Sequence, residues 1–184
     1  RVTDLSTYDN YPQRDLINKW RLIKKDPEAE LSEPVNPIVF WVEKSTPEEI
    51  KPMVVKGIEA WNFAFERAGF KNAVVAKIQP DDAVWDAGDI QYNVVRWSSS
   101  PRPAFSGYGP SIGNPRTGEL IAADIVQEFN AIKRGYDYRK IWGWTPESDP
   151  LEQWIVSLTM HEVGHTIGLR HNFSASYLHG PREV

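Results

Sequence analysis

Apolar positions change period several times along the chain, and each change marks an element. Residues 1–36 are polar and interrupted by Pro12, Pro27 and Pro34, with one amphipathic stretch over 16–23, and read as a lead-in that wraps the core. The segment after Pro37 is short and rich in branched and aromatic residues, which predicts a buried strand over 38–43. Thr46-Pro47-Glu48-Glu49 has the form of a capping box with proline at the first helical position. The helix it starts carries Ile50, Val54, Ile58, Trp61 and Phe65 on one stripe and ends near Gly69, with Pro52 delaying or kinking its first turn. Residues 73–79 and 89–97 have strand character, 98–118 are rich in Ser, Pro and Gly and read as loop, and 118–126 return to strand. Asp149-Pro150-Leu151-Glu152 is a second capping box, opening a helix over about 150–168 whose buried side is Trp154, Ile155, Leu158 and Ile167.

This order of elements predicts an α+β fold: a twisted mixed sheet of four or five strands, a backing helix, and a second helix at a cleft. The division is a lead-in over 1–36 and a core over 37–184. A chain of 184 residues that is 41% hydrophobic and 25% charged can bury one sizeable core. The net charge of −4, with basic residues scattered among acids, speaks against nucleic acid as a partner. No apolar run approaches the roughly 20 residues of a membrane span. With zero cysteines there are neither disulfides nor thiolate ligands, a composition that fits the cytoplasm and the bacterial envelope equally. Asp81, Asp82, Asp86 and Asp89 could offer oxygen ligands to calcium, although a solvated loop is several times commoner where no regular calcium-loop spacing exists. Eight tryptophans could form an aromatic platform for sugars, but core packing and contacts with further domains are the commoner reason. Arg96 and Arg170 are candidates to anchor carboxylates, and His179, in a Gly-Pro tail, reads as solvated.

The candidate chemistry lies in one string, His161-Glu162-Val163-Gly164-His165-Thr166-Ile167-Gly168-Leu169-Arg170-His171. Zinc takes about four ligands in a tetrahedron with nitrogen donors roughly 2.0–2.1 Å away, and catalytic sites keep one position open. On a helix His161 and His165 lie one turn apart on the same face. A straight helix would carry His171 about 15 Å along the axis from His161, so the chain must turn back before it, and Gly168 is the residue able to enter the left-handed region at little cost. Glu162 falls to the side of the ligand face, where its carboxylate can act as general base on a metal-bound water that attacks a polarised carbonyl.

The string HEVGHTIGLRH resembles the HExxHxxGxxH signature of the metzincin zinc endopeptidases. The wider chain is similar to the core of a bacterial zinc-dependent metalloprotease family, large secreted proteins with flanking domains. The segments at 26–42, 57–73, 90–97 and 109–125, and Asn172-Phe173, carry that likeness. The resemblance implies a metzincin-like N-terminal subdomain with His161, His165 and His171 on one zinc ion, Glu162 as catalytic residue, a peptide or protein substrate, a monomer, and a location outside the cytoplasm. It also implies that the strand bordering the cleft pairs with an extended substrate, a role that falls on Leu120, Ile121, Ala122, Ala123 and Asp124.

Metzincins carry a methionine turn beneath the zinc, downstream of the third histidine, whereas both methionines here, Met53 and Met160, lie upstream. The expectation is a fragment of a longer protein whose site floor and specificity pocket lie outside this sequence. The readings left open are a zinc endopeptidase, a zinc amidase or deacylase acting on non-peptide substrates, and an inactive metal-binding fragment or binding module.

Overall fold

The computed structural model describes residues 16–130 and 151–172, with isolated positions elsewhere (2, 3, 6, 8, 10, 13, 14, 132, 133, 137, 141 and 143). The second capping box at 149–152 falls partly outside the described residues, and His179 falls wholly outside them. The elements in chain order are β1 (Val2–Thr3), β2 (Gln13–Arg14), β3 (Ile38–Val42), α1 (Lys51–Glu59), α2 (Asn62–Arg67), β4 (Val74–Ile78), β5 (Asn93–Ser98), β6 (Gly107–Tyr108), β7 (Ser111–Gly113), β8 (Leu120–Glu128) and α3 (Leu151–Thr166). The fold is α+β. Its main sheet has six strands, ordered β4-β3-β5-β8-β6 with β7 also on β8, and β1 and β2 form a separate antiparallel pair.

β3, β4, β5 and β8 run parallel, while β6 and β7 return antiparallel along β8. Side chains alternate along a strand, so Ile38, Phe40 and Val42 all reach one face, where they pack with Val54 and Ile58 of α1 and Ile155 and Val163 of α3. On the other face Trp85 and Tyr92 stack at 4.0 Å and 9°, with Trp41 edge-on to both. These rings pack against one another, so Trp41 and Trp85 serve packing here.

The backing helix differs from its expected form. It begins at Lys51, its N-cap Ile50 has no side-chain cap, and the Thr46 capping box does not form. Pro52 sets this start: a residue with no N–H belongs in the first turn, where that donor would have no intrahelical partner. The helix also divides at Ala60 and Trp61, whose backbones stay right-handed, so the apolar stripe continues from Val54 and Ile58 to Trp61 and Phe65. It ends where expected: Gly69 sits at φ +86°, its N–H donates to Glu66 O and the Phe70 N–H to Phe65 O, the paired bonds of a Schellman cap.

β5 starts at Asn93 rather than 89, because Asp89 accepts from the Gln91 N–H and its carbonyl from the Tyr92 N–H, closing a turn first. The largest correction concerns 98–118, read as loop, which supplies β6 and β7. Glycine-rich sequence lowers strand propensity, but pairing along β8 overrides it.

Helices α1 and α3 touch most closely at Gly57, where an added Cβ would lie 2.5 Å from Thr159 Cβ and 2.9 Å from the Val156 carbonyl oxygen. Gly57→Ala must therefore push α3 off its support and is expected to cost about 2–3 kcal/mol. Denaturant unfolding would measure this, and an unchanged midpoint would contradict the close packing.

Candidate metal centre

Helix α3 presents His161 and His165 outward and Val163 inward. Gly164 faces back onto the ring of Trp61, which leaves no room for a Cβ (2.9 Å), and the Trp61 indole N–H donates to the Met160 carbonyl at 3.0 Å. The ligand face is thus fixed by what its reverse side packs against.

The helix ends in a second Schellman cap. Gly168 takes φ +104°, its N–H donates to His165 O at 3.1 Å, and the Leu169 N–H donates to Gly164 O at 3.0 Å. The remaining late carbonyls are also satisfied: Val163 O accepts from the Ile167 N–H and the Thr166 hydroxyl, and Thr166 O accepts from the Trp20 indole N–H at 2.9 Å. The cap turns the chain back and returns His171 to its partners.

The three Nε2 atoms then converge. His161 to His171 is 3.0 Å, His165 to His161 is 3.1 Å, and His165 to His171 is 3.2 Å. A tetrahedral zinc with ordinary Zn–N bonds sets its nitrogens about 3.3 Å apart, so the triangle needs only a slight opening to fit. An imidazole nitrogen has one in-plane lone pair or one N–H, so three of them cannot all satisfy one another pairwise; a shared cation satisfies all three. His165 Nδ1 lies 2.9 Å from Leu169 O, a contact that requires the proton on Nδ1 and leaves Nε2 as the ligand atom. Burial, followed by the His165 and His171 rings, pushes the His161 imidazole below its ordinary range, which favours the neutral form a metal needs. Among the described residues these three histidines are the group able to hold a metal ion. The aspartates of 81–89 do not gather: Asp86 caps the Gly88 N–H and Asp89 the Gln91 N–H, so the calcium expectation is not supported.

Glu162 is buried beside the triad, under the β6–β7 segment. A Cβ at Gly107 would meet its Oε1 at 2.7 Å, and one at Gly109 would meet its main-chain oxygen at 2.6 Å. Burial raises the carboxyl above its usual range, against the opposing pull of His165, His171 and the Gly109 N–H. Sequence reasoning passed over these two glycines as loop, yet their spacing of two, which places both on one side of an extended chain, was a usable signal. It also missed Gln127 and Thr159, both fully buried, where the Gln127 amide donates to the Thr159 hydroxyl at 2.7 Å directly behind the metal helix.

The structure places the residues expected to take substrate, Leu120, Ile121, Ala122, Ala123 and Asp124, in β8, where Leu120, Ala122 and Ala123 pair with β7 and Asp124 begins the pairing with β5. The Leu120 N–H is held by Lys19 O, the Ala123 N–H by Asn93 Oδ1 and the Asp124 N–H by Pro110 O. Asp124 is further tied to Arg96 at 2.7 Å, the carboxylate expected for that arginine. The outer strands on this side are β6 and β7, and Gly107 of β6 and Gly109, between the two strands, border Glu162.

A mixed sheet backed by helices thus places two histidines on α3, a third just past its terminal turn, and a buried glutamate beside them. A family model described as Met-zincin matches residues 147–184, so over this stretch the chain is similar to the Met-zincins, which supports a metzincin-like, zinc metalloprotease-like domain. No curated protein and no solved structure matches the chain. No described helix is long and apolar enough to cross a membrane.

Gly107 and Gly109 can be separated by substitution. Gly107→Ala meets the flexible end of Glu162 and should displace the carboxylate with zinc binding retained, whereas Gly109→Ala meets main chain and should lower the melting temperature. Chelator-competition zinc titration alongside thermal unfolding reads both effects, and equal behaviour of the two variants would contradict this placement of Glu162.

Proposed function

We propose that this chain bears the zinc site of an endopeptidase. The observation that carries the reading is the convergence of three imidazole nitrogens within 3.2 Å of one another beside a buried carboxylate. His161, His165 and His171 would hold the ion, their donor set and spacing suiting zinc with one position left for solvent or substrate. Zinc, when bound, supplies Lewis acidity that polarises a scissile carbonyl and lowers the pKa of an adjacent water.

The chain's own residues have separate tasks. Glu162 takes the proton from the attacking water at its carboxylate and passes it to the leaving amine. Burial under Gly107 and Gly109 keeps that carboxylate from bulk water and in one orientation. His165 is locked by Leu169 O, so its ring needs no reorganisation on metal binding. A substrate strand adds along the outer edge of β6 and β7 through main-chain bonds, which favours extended peptides over small amides. Cleavage in the full-length protein, flanking domains and a location outside the cytoplasm complete the proposal, the last two by family likeness alone.

The test is zinc content by elemental analysis together with hydrolysis of a peptide library and a panel of small amides, on the longest available form of the protein. The expected result is one zinc per chain and peptide cleavage. Glu162→Gln should keep the metal and lose about 10²–10⁴-fold in kcat. His171→Ala should lower zinc occupancy. Amide cleavage without peptide cleavage would convert the reading to an amidase, and undiminished turnover in Glu162→Gln would reject the general base.

A further inference from the structure

The lead-in crosses the metal helix at one place, and the way it is held there is unusual. Gly118 and Gly168 lie fifty residues apart in sequence, both at positive φ, +77° and +104°. At Gly118 an added Cβ would lie 2.3 Å from Ile17 O, and at Gly168 one would lie 2.2 Å from Asn18 O. Two consecutive carbonyls of the lead-in therefore occupy the space two glycines leave open, one at the turn into β8 and one at the turn that returns His171. Further bonds fix the crossing: the Lys19 N–H donates to Gly118 O at 3.2 Å, the Leu120 N–H to Lys19 O at 2.9 Å, and the Trp20 indole N–H to Thr166 O at 2.9 Å. Burial of Ile17 does not explain this seat, since that side chain is 80% exposed, while the Trp20 ring packs partly buried against the core. Beyond that ring packing the segment contributes backbone and one indole donor, aimed at the two residues around the reversal, Thr166 and Gly168.

We propose that residues 17–20 are a positioning strap for the metal centre, with Trp20 as the positioning residue. Resting on the reading of the three histidines as a zinc site, the inference is that the strap holds the Gly168 turn in the one conformation that brings His171 to His161 and His165. Zinc affinity is then set partly by the N-terminal segment, far from the ligands in sequence. By linkage the coupling is reciprocal: if the seated strap favours zinc, zinc must favour the seated strap.

The test uses the full chain and zinc alone. Trp20→Phe keeps the ring and removes the N–H; it should bind zinc about tenfold more weakly in chelator competition, within the range of lost outer-shell hydrogen bonds. The cobalt-substituted site should change its absorption spectrum, while the metal-free melting temperature changes little. In the unaltered protein zinc should slow amide exchange at Lys19 and Leu120, a readout that stands even if the variant fails to fold. Native affinity in Trp20→Phe, with or without a lower melting temperature, or exchange at Lys19 and Leu120 indifferent to zinc, would overturn the strap while leaving the zinc site intact. Absence of zinc uptake by the unaltered chain would overturn the zinc reading and the strap together.

Discussion

At Gly168 the chain must end a helix, satisfy its last carbonyls and reverse direction, all within a few residues of two histidines of the candidate metal centre. A left-handed residue does this at a single position, and a side chain there would add about 1–2 kcal/mol of backbone strain and collide with Asn18 O. The Schellman bonds that close the turn donate to His165 O and Gly164 O, so the backbone carrying one ligand is itself part of the device that returns the next. The Leu169 carbonyl that emerges from the turn accepts from His165 Nδ1. Helix termination, tautomer choice and ligand convergence are one set of hydrogen bonds.

The rest of the domain keeps that turn and its helix in place. Gly57 and Gly164 allow α1 and Trp61 to press on the back of α3, and Val163 and Ile155 anchor its inner face in the core beside Phe40 and Ile125. On the open side, β6 and the connection to β7 come close enough to Glu162 that a side chain at 107 or 109 would collide with it. Enclosure there raises the Glu162 carboxyl above its usual range, against the pull of the neighbouring His165 and His171 rings.

Much of this was legible in the residues. The histidine spacing, the turn glycine and the apolar stripe of α1 follow from short-range rules of helix geometry, whereas on α3 only Ile155 of the expected stripe is buried and Thr159, Glu162, Val163 and Thr166 fill the rest of the inner face. Long-range pairing was harder to read. Nothing local announces that 107–113 lies antiparallel on β8, because its glycines and prolines carry the loop signature; only the finished sheet makes those positions strands. The neighbours of β8 were hidden for the same reason, since only the finished sheet shows β6 and β7 paired along it. Contacts of the lead-in were invisible for another reason: they run through main-chain carbonyls of Ile17 and Asn18, which no side-chain pattern encodes.

The most direct measurement is anomalous diffraction at the zinc edge from crystals of this protein grown with zinc. One peak about 2.0–2.1 Å from Nε2 of His161, His165 and His171 together is the expected result. Rings turned away from one another, with no peak between them at saturating metal, would contradict the account.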